Sequence, residues 1–461
     1  MFAGREYELA KLNELYNSGK YECVIIYGRR RVGKTALILE FIKNKKAAYF
    51  MALEASERTN LENFSKSVIR VTIGSNENQP IYANFKDAID AIGNQAKNER
   101  IILAIDEFPY IAESAKGFSS ILQERIDLLL TKTQIFIILC GSSMSFMENQ
   151  VLGYQSPLYG RRTAQLKITP FNYMETSQFF SKYNIYDRAL LYGVTGGIPQ
   201  YISLMDEKKT VEQNIVDNFF NSSSYLFEEP GNLLKQELRE PQKYNDIISA
   251  IATGSSRLNE IATKTAIETS TCSSYIQSLI SLGIVKKEYP IFNDTPKRTI
   301  YRLADGMFRF WYRYTPRYIS LIQEHAGDRV YGYIKSDIST YMGEIFEDIC
   351  KQYLWKENLA DRLPFSFIDA GRWWGANPIL KSEQEIDIFA YDNDNAIFCE
   401  CKWKNEKTDA NILRKLIEKS NMFNFKAKYF YLFSKSGYTN ECIASAGENV
   451  RLIEFREMFS E

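Results

Sequence analysis

Eight residues near the N-terminus, Gly28-Arg29-Arg30-Arg31-Val32-Gly33-Lys34-Thr35, constrain this chain more than any other feature. They satisfy the pattern G-x-x-x-x-G-K-[S/T] in full, behind a run of β-formers (Cys23-Val24-Ile25-Ile26-Tyr27) and ahead of a helical pattern over residues 34–41. Glycines there let the backbone wrap an anion, so that successive N–H groups and a helix N-terminus all face it. The backbone of Gly28, Arg31, Val32, Gly33 and Ala36 is the expected cradle. Lys34 is expected to neutralise the β- and γ-phosphates, and the Thr35 hydroxyl to bind Mg²⁺. The ligand that fits is ATP with Mg²⁺.

A second signal agrees. Ile101-Ile102-Leu103-Ala104-Ile105 is an apolar run ending in Asp106-Glu107. Asp106 at the end of a strand can hold Mg²⁺ through water, and Glu107 can polarise the attacking water as general base. Further apolar runs at 47–53, 135–140 and 164–168, with helical spacing between them, predict a parallel α/β sheet over the first third of the chain.

Composition narrows the rest. With 57 Lys+Arg against 57 Asp+Glu, a globally basic nucleic-acid coat is excluded, although a local basic face is not. His325 is the only histidine, which excludes zinc fingers, HExxH proteases and His-rich metal sites. Seven scattered cysteines do not make a disulfide framework. The charged N-terminus is unlike a signal peptide, and the charge-free runs are too interrupted to span a membrane. A cytoplasmic location is expected, with no membrane partner. The length of 461 residues suggests about three domains.

Motif order now carries a resemblance. Phe2-Ala3-Gly4-Arg5-Glu6-Tyr7-Glu8-Leu9 resembles the box preceding the phosphate loop in archaeal-type ATPases of the STAND/AAA-like group of P-loop NTPases. The resemblance implies that Arg5 and its neighbours lie against the nucleotide's base and ribose. Gly141-Ser142-Ser143 is similar to the family's polar sensor, with Ser142 and Ser143 where many AAA proteins carry Asn or Asp. Leu158-Tyr159-Gly160-Arg161-Arg162 resembles the segment from which an arginine reaches the γ-phosphate, in cis or from a neighbouring subunit of a homo-oligomer. Gly196-Gly197-Ile198-Pro199 matches the GxP signature of the helical lid, which puts Pro199 near the nucleotide.

Beyond the lid, three short helices over about 241–282 and two β-rich runs, 284–289 and 299–303, look like a winged helix-turn-helix. The turn between the runs includes Asn293-Asp294-Thr295-Pro296-Lys297-Arg298. From Lys286 to Arg317 eight basic residues face three acidic ones, a local basic excess. The third helix carries no Lys or Arg over 272–278, which weakens base readout.

The last third reads helix, strand, strand, strand, helix, strand. Glu385-Ile386-Asp387-Ile388 and Phe398-Cys399-Glu400-Cys401-Lys402 form two alternating runs joined by a polar loop, a hairpin. A strict period of two puts Glu385 with Asp387, and Glu400 with Lys402, on shared faces. The segment resembles the PD-(D/E)xK restriction-endonuclease-like superfamily, with Asp387 as the Asp and Glu400-Cys401-Lys402 as E-x-K. Glu347 matches the Glu of that family's first helix. The resemblance implies a cation on Glu347, Asp387 and Glu400, with Lys402 orienting water or stabilising charge at a scissile phosphate.

The expected fold class is therefore α/β: a P-loop NTPase sheet (1–175), a helical lid (176–238), a winged helix-turn-helix (239–304) and an αβββαβ nuclease-like domain (305–461). The expected function is an ATPase coupled to a metal-dependent nuclease-like domain acting on DNA. The alternative is a STAND-like regulatory ATPase whose last domain binds nucleic acid or protein without cutting.

Overall fold

The computed structural model describes residues 2–74, 81–292 and 298–459. It divides into two compact units, residues 1–170 with 198–200, and residues 171–197 with 201–461. The division after residue 170 puts residues 171–175 of the expected first domain in the second unit. The segments expected as lid, winged helix and C-terminal domain group in the second unit, apart from residues 198–200.

In the first unit β1 (Glu22–Tyr27), β2 (Ala47–Met51), β3 (Ile101–Asp106), β4 (Ile135–Gly141) and β5 (Ala164–Lys167) form one sheet. Its order is β2-β3-β4-β1-β5, and every pairing is parallel. All five expected strands are present. β1, β3 and β4 are buried along their whole length, which is why they read as continuous apolar runs rather than alternating ones. Helices Lys34–Ile42, Glu57–Thr72, Phe85–Gln95 and Phe118–Leu128 lie between the strands in sequence. Ser56 and Asn84 begin two of these helices, their side chains accepting from Thr59 N and Asp87 N. Phe50, Phe64, Phe85 and Phe118 pack edge to face within the core. Parallel pairing puts the C-terminal ends of β1, β3 and β4 at one edge of the sheet. The residues after Tyr27, after Ile105 and after Gly141 are thereby neighbours.

The second unit opens with helices Tyr173–Gln178, Ile185–Thr195, Val211–Phe219 and Tyr225–Glu237. Helices Pro241–Ala252, Leu258–Thr265 and Thr269–Ser281 follow, then the antiparallel pair β6 (Val285–Glu288) and β7 (Ile300–Leu303). Of the turn joining them, residues 293–297 lie outside the described residues.

A 22-residue helix, Ile338–Leu359, precedes a mixed sheet. Its strands β8 (Asp369–Asn377), β9 (Ser382–Tyr391), β10 (Asn395–Lys402), β11 (Ala427–Ser434) and β12 (Val450–Glu454) are ordered β12-β11-β10-β9-β8. β8, β9 and β10 pair antiparallel; β10, β11 and β12 pair parallel. Helix Ala410–Ser420 joins β10 to β11, as a parallel crossover requires. The short helix Asn440–Ala444 and β12 extend the sheet beyond the expected order. Among the described residues no helix is long and apolar enough to cross a membrane.

Candidate functional site

The loop after β1 is built for an anion. Gly28 has φ 155°, and a Cβ there would come within 2.3 Å of the Ile168 carbonyl oxygen, so only glycine fits. Gly33, at φ 88°, starts helix Lys34–Ile42. Lys34 is buried, and its ammonium donates to the Gly28 and Arg29 carbonyls at 2.9 Å each. Burial pulls its pKa below the ordinary lysine value, against the attraction of the nearby Glu107 and Asp106 carboxylates. The positive end of the loop is thus held inside it, short of counter-charge.

The other loop partners come from the expected motifs. Arg5 is buried and donates to Val32 O at 3.0 Å and Thr169 O at 2.6 Å, with Glu8 at 3.3 Å. It therefore braces the loop's backbone. Pro199 lies on the loop as well: a Cβ on Gly33 would meet its Cγ at 3.5 Å, and Gln200 N donates to Arg31 O at 3.4 Å.

Facing the loop, the Thr35 hydroxyl donates to Asp106 Oδ2 at 2.7 Å. Tyr49, from β2, donates to the same oxygen at 3.0 Å. The sequence reading missed Tyr49, because which strand flanks β3 depends on sheet order. Glu107 stands in the left-handed region at φ 51°, and its carboxylate accepts from Ser142 N at 3.3 Å and from the Ser142 hydroxyl. Two oxygen donors (Thr35 and Asp106) in mutual contact suit a hard cation such as Mg²⁺.

The structure does not bring Arg161 and Arg162 to this site. Arg161 precedes β5, where Tyr21, just ahead of β1, donates to its carbonyl at 3.1 Å. That is the opposite edge of the sheet, roughly 20 Å from the phosphate loop for six residues of strand. Its guanidinium is held bidentately by Asp127 at 2.8 and 2.7 Å. Arg162 donates to Leu152 O at 3.2 Å. A role in cis at the loop is ruled out for Arg161 by this placement.

The C-terminal candidates converge only in part. β9 and β10 pair as far as Cys399 opposite Ile388, and beyond that point their ladder ends. There Asp387 Oδ2 accepts from Cys401 N at 2.7 Å. On the other side of β9, Gly371 pairs with Phe389 but Trp373 with Ile386, so two steps on β8 span three on β9. This irregularity interrupts the strict alternation on which the shared-face expectation rested. Asp387 and Glu347 line one cavity of about 330 Å³, with Arg372 beside them. Burial, and then the neighbouring carboxylate (Asp387 for Glu347, Glu400 for Asp387), push both acids above the ordinary carboxylate range. Glu385 is paired with Arg372.

Glu400 and Lys402 do not line that cavity. Lys402 donates to one Glu400 oxygen at 2.6 Å, and Lys419, from helix Ala410–Ser420, to the other at 3.1 Å. Among the described residues no group of three His, Cys, Asp or Glu side chains could hold a metal ion. The expected joint cation site of Glu347, Asp387 and Glu400 is thus not assembled: Asp387 lines the cavity with Glu347, while both oxygens of the nearby Glu400 are taken by lysines.

Four of the eight basic residues from Lys286 to Arg317 are paired internally. Lys286 pairs with Glu288 at 2.8 Å and Asp348 at 3.3 Å, Arg302 with Glu344 at 3.0 Å, Arg309 with Asp348 at 3.4 Å, and Arg313 with Asp337 at 2.8 Å.

Comparison with known proteins agrees with the loop. Residues 2–205 match a family described as an ATPase domain predominantly from Archaea. An uncharacterized protein of Methanocaldococcus jannaschii is 34% identical over 443 residues, covering 94% of this chain and 96% of that one. The chain belongs to one family with that protein, and its residues 2–205 carry the archaeal ATPase domain. Residues 311–413 of the ATPase match a second family, archaeal and bacterial proteins of unknown function. An uncharacterized ATP-binding protein of the same organism is 52% identical over 46 residues, 10% of this chain and 78% of that one. The solved Aeropyrum pernix ORC1 protein in complex with DNA is 13% identical, covering 69% of the ATPase and 94% of that chain at a TM-score of 0.31. That likeness is too loose to compare sites.

Proposed function

We propose that the chain is a Mg²⁺-dependent ATPase whose C-terminal domain binds nucleic acid or protein rather than cutting DNA. The observation that carries the ATPase reading is the Thr35–Asp106 contact at 2.7 Å beside a Lys34 held inside its loop. The loop amides and Lys34 bind the phosphates, and Thr35 with Asp106 holds Mg²⁺, which supplies charge neutralisation at the transferring phosphoryl group. Glu107 takes a proton from the attacking water, and Ser142 fixes the orientation of its carboxylate.

Three helices and an antiparallel pair support a winged-helix reading of residues 239–304, in a form without a basic recognition helix. The helix, three strands, helix, strand order supports a nuclease-like fold for residues 305–461. Against cleavage stands Glu400, whose two oxygens are both taken by lysines. A metal-dependent nuclease needs carboxylates that share one cation.

The reading is tested by assaying ATP hydrolysis and DNA nicking on the same preparation with Mg²⁺ or Mn²⁺. Turnover that disappears in Lys34→Ala, with no nicking, is expected. Nicking that disappears in Asp387→Ala would restore the nuclease reading, and absent ATP binding would remove the ATPase one.

A further inference from the structure

Helix Ile338–Leu359 carries a second cavity, of about 770 Å³, that neither the phosphate loop nor the Asp387 site explains. Its volume is in the range of small-molecule sites, roughly 300–1,000 Å³. Three aromatic side chains, Tyr173, Tyr192 and Trp355, line it. They are fixed from behind. The Tyr173 hydroxyl donates to Met458 O at 2.7 Å, Gln352 donates to the Tyr192 hydroxyl at 2.8 Å, and Trp355 packs edge to face on Phe367 at 4.7 Å. Rigid aromatic walls of this kind favour a planar ring.

Lys286 and Lys351 line the cavity beside one carboxylate, Asp348. That carboxylate is engaged by Lys286 at 3.3 Å and Arg309 at 3.4 Å. Lys351 differs from Lys286: half-buried, it has no ion pair or hydrogen bond among the described residues. Glu288, Asp348 and Asp369 act on it only from a distance, and burial and Lys286 both disfavour its charge. Lys351, like Lys286 and Asp348, also lines the Asp387 cavity, so it stands between the two. An ammonium half-withdrawn from water without a partner is costly to the fold, and an incoming anion would offset that cost.

We propose that this cavity binds a nucleoside phosphate, its base among Tyr173, Tyr192 and Trp355 and its phosphate on Lys351. The nucleotide is either free or the terminal nucleotide of a single strand. The two sources share the chemistry and are separated by experiment. The site is distinct from the phosphate loop and does not rest on the ATPase reading.

The test is calorimetry on the full chain carrying Lys34→Ala, which keeps the loop from competing. The probes are AMP, inorganic phosphate and a 5′-phosphorylated oligonucleotide. AMP, the oligonucleotide or both should bind, at least tenfold more tightly than inorganic phosphate, which lacks the ring. Binding of AMP alone identifies a free nucleotide, and of the oligonucleotide alone a strand end. Lys351→Met should weaken the binding at least tenfold, Lys351→Arg should retain it, and Trp355→Ala should weaken it about tenfold through lost stacking. Lys351→Met should melt no lower than its parent, because it removes an unpaired, half-buried charge, so its loss of affinity is not unfolding. The proposal is overturned if neither nucleotide probe binds, if Lys351→Met binds as its parent does, or if inorganic phosphate binds as tightly as AMP.

Discussion

The Thr35 hydroxyl donates to the Asp106 carboxylate at 2.7 Å across 71 residues of chain. The contact exists because β1 and β3 are parallel and flank β4, which brings the loop after one and the end of the other to the same edge. Tyr49 donates to the same Asp106 oxygen, so when Thr35 turns to a cation, Tyr49 still holds the carboxylate in place. Tyr49→Phe should therefore raise the Mg²⁺ concentration for half-maximal ATP hydrolysis several-fold. Thr35→Ala, which removes a ligand, should raise it more than tenfold. A Mg²⁺ titration of turnover at saturating ATP checks both, and equal curves for Tyr49→Phe and the parent would remove Tyr49 from this role.

Lys34→Ala should abolish most nucleotide affinity, since the phosphates lose their buried counter-charge. Its folded stability should change little. The ammonium gives up two carbonyl contacts but also escapes burial, which already depresses its pKa. Calorimetric titration with ATP, alongside thermal melting, separates the two effects.

Glu107→Gln should bind ATP as the parent does and lose turnover by about 10²–10⁴, the contribution of a positioned general base. Ser142→Ala should lower turnover less, because Ser142 N still reaches Glu107 at 3.3 Å. Single-turnover hydrolysis measures both, and a Glu107→Gln chain that turns over normally would exclude the general-base role.

Much of the first unit was legible because its evidence is local. A buried parallel strand is a run of Val, Ile and Leu, and the loop motif is contiguous, so β1, the loop and β3 could be read directly. The C-terminal order was legible for the same reason. What sequence could not supply was anything that depends on one strand's position relative to another. Tyr49 becomes a partner of Asp106 only through sheet order. The irregularity at Asp387 is invisible to a period-two argument, which assumes that every step along β9 has one opposite it on β8. Arg161 sits in a motif that resembles an arginine-finger segment, yet the start of β5 lies at the far edge of the sheet. The basic excess from Lys286 onward counted charges without their partners, of which Glu344 and Asp348 come from helix Ile338–Leu359 and lie far on in the sequence.

Arg161 and Asp127 should act as a structural pair within one chain. Both side chains are partly exposed, so breaking the pair should cost about 1 kcal/mol or less after solvent screening. Arg161→Ala and Asp127→Ala should show similar small losses that do not add in the double variant. Basal hydrolysis at dilute protein concentration should be unchanged in Arg161→Ala. A drop in turnover that appears only as concentration rises would instead place Arg161 at a neighbouring subunit.

The Glu347–Asp387 pair gives the protein a pH dependence of opposite sign to an ordinary ion-paired carboxylate. Burial raises both acids in the folded state, with Asp387 adding to the shift of Glu347 and Glu400 to that of Asp387, and Glu347 reaches about 8. The folded chain therefore holds more protons than the unfolded one between the ordinary carboxylate range and about pH 8. Where the native state binds more protons, stability falls as pH rises. The contribution is fully favourable below the unfolded pKa and is lost through neutral pH, with a slope on the order of 1 kcal/mol per pH unit. Glu347→Gln removes the ionisation while keeping the shape. It should flatten the decline and leave the variant more stable than the parent at pH 8, with little difference at pH 5. Urea midpoints at the two pH values decide the matter. A parent that gains stability from pH 5 to 8 while Glu347→Gln does not would mean that Glu347 is ionised and paired in the folded chain, and that Arg372 rather than Asp387 governs it.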